Sequence, residues 1–224
     1  GSSTVTAEMV IQANPDIVSH INGGPTAVAM DEVHRLVKET DLALEIVHCG
    51  NPKVAVEAAN LCVEQNALSR IIIGNDAPSG TGVVPLGVLR VICHLASLTA
   101  IKPEEAICMA TGNTARIHKL PRGLIAAGKE ADIVIMDTPM GSVGADALAA
   151  IEAGDVPAVS MVLVDGEIVV AEGSAHADSM KGFQVTSLNY QIFIMIHPLF
   201  PLSTSITFHR ERVGNVCLTR LLTR

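Results

Sequence analysis

Three short β-branched runs, at 16–19, 42–47 and 70–73, each end in a polar cluster and lead into a stretch of helical periodicity. This alternation limits the fold more than any other feature, because parallel strands need long crossovers, usually helices, to join them. The third run, Arg70 to Ile73, is nearly all isoleucine, as suits a strand covered on both faces. The spacing predicts helices over 27–39, with Thr26 as N-cap, and over 52–67, with Pro52 in the opening turn. Further helices are expected over 85–97, 103–109 and 114–119, forming a helical layer. After Gly123 the period changes to two, at 133–136, 161–164 and 167–170, and Asp165-Gly166 between the last two runs signals a hairpin. The fold class is therefore α/β: a parallel sheet or barrel followed by a small β subdomain.

The chain has 224 residues, 49% of them hydrophobic and 17% charged, which is enough apolar material for a buried core. A net charge of -8 and a pI near 5.4 speak against nucleic acid as a partner, since phosphate binding needs clustered Lys and Arg. The five cysteines form no C-x-x-C pair, so neither a disulfide framework nor a thiolate zinc site is indicated. Cys49, Cys62, Cys93 and Cys108 lie in apolar surroundings and are expected as small buried hydrophobes. The first ten residues have no basic leader pattern, and no stretch reaches the ~18 consecutive apolar residues of a membrane span. The expectation is a cytoplasmic protein without a membrane partner.

A compositional seam lies near Gly173. Phe183, Tyr190, Phe193, Phe200 and Phe208 all follow it, and no aromatic residue precedes it. Residues 174–224 hold five Lys or Arg against two acids, or +3, which leaves -11 for the rest of the chain. Such a shift suggests two joined sequences, and the tail is expected to derive from out-of-frame or intron-derived translation and to carry little stable structure. Its apolar run at 192–202 is broken by His197, Pro198 and Pro201.

His20, His48 and Asp76 follow the three β-branched runs. In a parallel barrel the carboxyl ends of strands are where loops leave room for substrate. Neutral imidazole and carboxylate suit zinc or iron, and a carboxylate beside a metal-bound water can accept its proton. Each residue also has a plainer reading: a loop hydrogen-bonder for His20 and His48, an Asx-turn for Asp76. His34, His94 and His118 lie in helical stretches and are read as surface or packing residues. The glycines of GNDAPSGTG lack the G-K-[ST] of a phosphate loop. His48 and Cys49, as strand neighbours, point to opposite faces and do not form a nucleophile pair.

The segments VVPLGVLRVICHLASL, ICMATGNTARIHKL and GLIAAGKEADIVIMDTP together resemble the amidohydrolase superfamily. Thr111, Asn113 and Ala115 fill its T-x-N-x-A element, 123–137 fills the phrase that opens its second domain, and 162–170 resembles the closing hairpin. SHINGGPTA, EIVHCGNPKVA and RIIIGNDAPSGTGVVPLGVLR are similar to the enamidase branch, whose members open a cyclic enamide of the partly reduced nicotinate type. The likeness covers about 1–172. It implies the carboxy-terminal part of a (β/α)8 TIM barrel, its last three strands within 1–122, with part of a small β-sandwich over 123–173 and a non-family tail over 174–224. It further implies His20 as a metal ligand ending the sixth strand, Asp76 as metal ligand and catalytic acid and base ending the eighth, and His48 as a substrate contact. The cofactor implied is zinc, iron or both in a binuclear site. The partners implied are a small cyclic amide and further copies of the chain.

The family's H-x-H pair, its bridging lysine and the histidine ending its fifth strand have no counterparts here, so the site is expected to be incomplete in this chain. The other function classes weighed are a non-catalytic remnant or interaction module and a nucleotide-binding α/β module.

Overall fold

The computed structural model describes residues 5–23, 28–78 and 82–171, together with the backbone of two strands at 207–213 and 216–222. β1 (Ile17–Val18), β2 (Ala43–Val47) and β3 (Ile71–Gly74) form a parallel sheet in that order, with Ile17 opposite Ala43 and Leu44 opposite Ile71. Helix α1 (Ala7–Ala13) precedes the sheet, α2 (Met30–Glu39) and α3 (Pro52–Glu64) are the crossovers, and α4 (Gly87–Leu98) follows. Alternation along the strands sends Leu44, Ile46, Ile71 and Ile73 into one core with Leu36 of α2 and Leu95 of α4. Ala43, Glu45, Val47, Ile72 and Gly74 take the opposite face.

Pairing alone does not hold the crossover α2 in place. Arg70, at the end of a short 3-10 turn (Leu68–Arg70), donates to the carbonyls of Val37 at 2.8 Å, Leu42 at 2.9 Å and Leu36 at 3.2 Å. The Leu36 and Val37 carbonyls belong to the last turn of α2, where intrahelical donors run out and a cation is favoured by the helix dipole. Arg70 thus ties the exit of α2 to the entry of β3.

Several boundaries differ from those the sequence predicts. Helix α2 begins at Met30, with Ala29 in the N-cap position and no side-chain cap, while Thr26 lies outside the described residues. Helix α1 is unpredicted because seven residues are too few to establish a period. It is fixed by Thr6, whose hydroxyl accepts from Met9 N–H, and by Glu32 of α2, which accepts from Ala7 N–H at 2.6 Å. The separate helices expected over 103–109 and 114–119 are one run: α5 (Pro103–Cys108), a π turn (Met109–Asn113) and α6 (Thr114–His118). Thr114 Oγ1 donates to Met109 O at 2.9 Å within this wide turn, which carries the T-x-N-x-A element.

The period-two segments build a second sheet, antiparallel in the order β4 (Ile133–Asp137), β5 (Ala158–Val164), β6 (Glu167–Ala171). Asp165 and Gly166 both have positive φ, 51° and 82°, as a two-residue type I′ turn requires. Helix α7 (Ala147–Ala153), also unpredicted, is capped by Asp146, whose Oδ1 accepts from Ala149 N–H at 2.9 Å, and it packs on α4 and α5. In the tail, 172–206 lies outside the described residues. Beyond it, where little regular structure is expected, β7 (Thr207–Val213) pairs antiparallel with β8 (Val216–Leu222). Gly214-Asn215 between these runs is a hairpin signal that compositional reasoning about the tail overlooks. Among the described residues no helix is long and apolar enough to cross a membrane.

The cysteines permit a stability prediction. Cys62 and Cys93 are buried at 0% and 2% exposure, and burial pushes their thiols up to about 11 and about 12. The Cys93 Sγ–H also donates to Asp155 O at 3.3 Å. In the unfolded chain these thiols ionise near 9.0, so above that pH the unfolded state holds fewer protons than the native one. Stability is therefore lost as pH rises from about 9 towards 11, by about 1.4 kcal/mol per pH unit for each thiol. Urea midpoints measured at pH 8, 9 and 10 should fall more steeply for the wild type than for a Cys62→Ala/Cys93→Ala variant. Parallel slopes in the two proteins would contradict it.

Candidate functional site

The carboxyl ends of β1, β2 and β3 carry the three candidate residues. His20 lies two residues beyond β1, half-buried and with φ of 35°. The next residue extends the ladder, Ile21 N–H donating to Glu45 O at 2.9 Å, and Gly23 N–H closes a tight turn onto His20 O at 2.6 Å. A Cβ on Gly23 would stand 2.9 Å from His20 Nδ1, so glycine there lets the imidazole lie against the turn.

Asn22 fastens this turn to β2. Its Oδ1 accepts from Val47 N–H at 2.8 Å, and its Nδ2 donates to Val47 O at 2.9 Å and to Asn51 O at 3.4 Å. The side-chain amide thereby stands in for a strand neighbour after β1 has ended. Asn22 is 1% and Val47 3% exposed, so the Val47 groups have no ready access to water as a substitute.

His48 is half-buried and continues the pairing of β2 with β3, its N–H donating to Gly74 O at 3.2 Å. Its Nδ1 is buried and has no hydrogen-bond partner among the described residues. Asp76 stands two residues past β3, exposed, with φ of 56°, a left-handed conformation that aspartate tolerates better than most residues. Before it, Asn75 Nδ2 donates to Val84 O at 3.3 Å and draws the returning chain towards the strand end. Of the other histidines, His94 joins α4 to α3, its Nε2 lying 3.1 Å from Pro52 O.

Sequence reasoning passes over Glu45. This half-buried carboxylate sits in the middle of β2 on the face opposite the helices, and its Oε2 accepts from His20 N–H at 3.2 Å. A single acid within an apolar five-residue strand, Ala-Leu-Glu-Ile-Val, is a signal that could have found it. Asn22 offers no such signal, because its value depends on which strand end it meets.

The donors present can be tested against a metal ion. His20 and Asp76 supply an imidazole and a carboxylate, the right chemistry for zinc or iron. Among the described residues, however, no group of three or more His, Cys, Asp or Glu is placed to hold a metal. Closed zinc sites use about four ligands and catalytic ones about three plus water. The two residues have the donor chemistry of such a site, and two donors do not make a whole one.

The profile of the amidohydrolase family matches residues 19–169, a stretch that begins just after β1 and takes in β2, β3, the π turn and most of the second sheet. The chain belongs to the amidohydrolase family. It is similar to the enamidase of Eubacterium barkeri, with 59% identity over 172 residues, 77% of this chain and 45% of that protein. The crystal structure of enamidase, described as a new member of the amidohydrolase superfamily, superposes with a TM-score of 0.74 at 60% identity, covering 76% of this chain and 44% of that one. A β-aspartyl dipeptidase of Fervidobacterium islandicum AW-1 shares the fold at 16% identity, with a TM-score of 0.53 over 77% of this chain and 46% of its own. The chain therefore spans less than half the length of the amidohydrolases it matches, and the family it resembles in sequence is the family it belongs to.

Proposed function

We propose that this chain is the carboxy-terminal part of an enamidase-type amidohydrolase that hydrolyses the C–N bond of a cyclic amide. The observation that carries this reading is the 59% identity to enamidase along a chain that sets His20, His48 and Asp76 at the ends of three successive parallel strands. On this reading β1, β2 and β3 are the sixth, seventh and eighth barrel strands, and β4–β6 belongs to the small β-sandwich.

Water adds to the amide carbonyl, the bond to the ring nitrogen breaks, and a proton must leave the water and reach that nitrogen. Asp76 is the group placed to carry it, an exposed carboxylate at a strand end, base in the first step and acid in the second. An enamine released in this way can tautomerise to the imine, add a second water and release ammonia, which leaves an aldehyde. His20 serves as a ligand and His48 as a contact for the substrate. A bound zinc or iron ion supplies Lewis acidity towards the carbonyl oxygen.

The second reading, a non-catalytic module that keeps the fold without the chemistry, is favoured by the lack of a third grouped donor among the described residues. Metal content separates the two. If the chain assembles the site, through association with further copies, plasma mass spectrometry finds zinc or iron near one equivalent in the purified chain and far less in Asp76→Ala and His20→Ala. No bound metal in any of the three sinks the catalytic reading for the chain on its own. In a metal-replete preparation, Asp76→Asn should lower cyclic-enamide hydrolysis by about 10²–10⁴-fold, the usual range for a lost acid–base group.

A further inference from the structure

We propose that Glu45 is a positioning residue that sets His20 relative to Asp76; the proposal rests on the reading of His20 as a ligand. β1 and β3 do not touch, since β2 lies between them, so the residues at their ends need a common support. Glu45 reaches both. Its Oε2 accepts from His20 N–H at 3.2 Å, and its Oε1 lies 2.6 Å from where a Cβ on Gly74 would stand, two residues before Asp76.

The backbone of the same residue adds a second hold, since Glu45 O accepts from Ile21 N–H at 2.9 Å. The turn after β1 is thus fastened on either side of the His20 Cα–C bond, to one residue of β2. His20 has φ of 35°, in the left-handed region that residues with a side chain adopt uncommonly. Gly74 has its own part here: with no side chain, it leaves the space beside β3 that the Glu45 carboxylate fills. A carboxylate half-buried midway along a strand gains from a protein donor, and the His20 amide supplies one.

The test compares the full chain with Glu45→Ala, Glu45→Gln and Gly74→Ala, by amide hydrogen exchange and by zinc titration followed on the His20 imidazole resonances. Exchange of the His20 amide should speed up about tenfold or more in Glu45→Ala, while the Leu44 and Ile46 amides within β2 keep their protection. Glu45→Gln keeps an acceptor oxygen and should restore the slow exchange. Gly74→Ala displaces the carboxylate without removing it and should speed His20 exchange as well, which keeps the test open if Glu45→Ala does not fold. Zinc affinity at His20 should fall about fivefold or more in Glu45→Ala and return in Glu45→Gln. Unchanged His20 exchange in Glu45→Ala, or in Gly74→Ala where the first does not fold, overturns the proposal. Faster exchange with unchanged zinc affinity overturns it too, reducing Glu45 to a structural role. If the wild type binds no zinc at His20, the ligand reading of His20 fails and this proposal falls with it. Zinc bound at His20 together with no cyclic-amide turnover removes only the proposed activity.

Discussion

Asn113→Asp should unfold the protein or bring its urea midpoint down to the edge of the native range. Asn113 is 3% exposed, and its Nδ2 donates to Leu68 O at 3.1 Å and Ile71 O at 3.0 Å, where the short 3-10 turn passes into β3. An aspartate places a carboxylate oxygen against both carbonyls. Ionised, it is a buried charge facing two acceptors; protonated, it satisfies only one of them. The cost is about 3–5 kcal/mol, a large part of the ~5–15 kcal/mol by which domains are stable. Asn113→Ala removes the bonds to both carbonyls, although Leu68 O still accepts from Ile71 N–H, and costs about 1–3 kcal/mol. Urea denaturation followed by circular dichroism measures both, and an aspartate variant with the wild-type midpoint would refute the assignment. The asparagine of the T-x-N-x-A element is thus explained by β3: the π turn holds the strand that delivers Asp76.

Asn22→Ala is the second large effect. The substitution removes the acceptor of Val47 N–H and the donor to Val47 O and Asn51 O, all at a position with 1% exposure. Val47 is 3% exposed, so water does not replace the two bonds to it, and the loss is about 2–4 kcal/mol. Its local signature matters as much as its size. Amide exchange at Val47 and in the turn at 20–23 should rise before the middle of β2 opens, because the side-chain amide joins this turn to the end of β2 at Val47, beyond the bonds that His20 and Ile21 make to Glu45. Uniform exchange enhancement across the sheet would show instead that Asn22 supports the core as a whole. Both substitutions act on the supports of the candidate residues and leave His20 and Asp76 themselves in place.

Local pattern alone determines much of this molecule. The isoleucine run of β3 and the alternation of short strands with long helical stretches specify parallel βα units, because only a strand covered on both faces tolerates such a run. The Asp165-Gly166 turn between two period-two runs specifies a hairpin through two residues that accept positive φ. The positions of His20, His48 and Asp76 at strand ends are legible for the same reason: strand ends are where the apolar pattern stops. Tertiary structure decides what local pattern cannot express. Helices α1 and α7, seven residues each, are too short to stand by propensity and exist through the elements they pack on. The roles of Asn22, Asn113 and Arg70 lie in bonds to residues 25 to 45 positions away, which no local window contains. Glu45 shows the division most directly: its place in an apolar strand marks an acid partly withdrawn from water, and only the pairing of β1 with β2 names His20 as its donor.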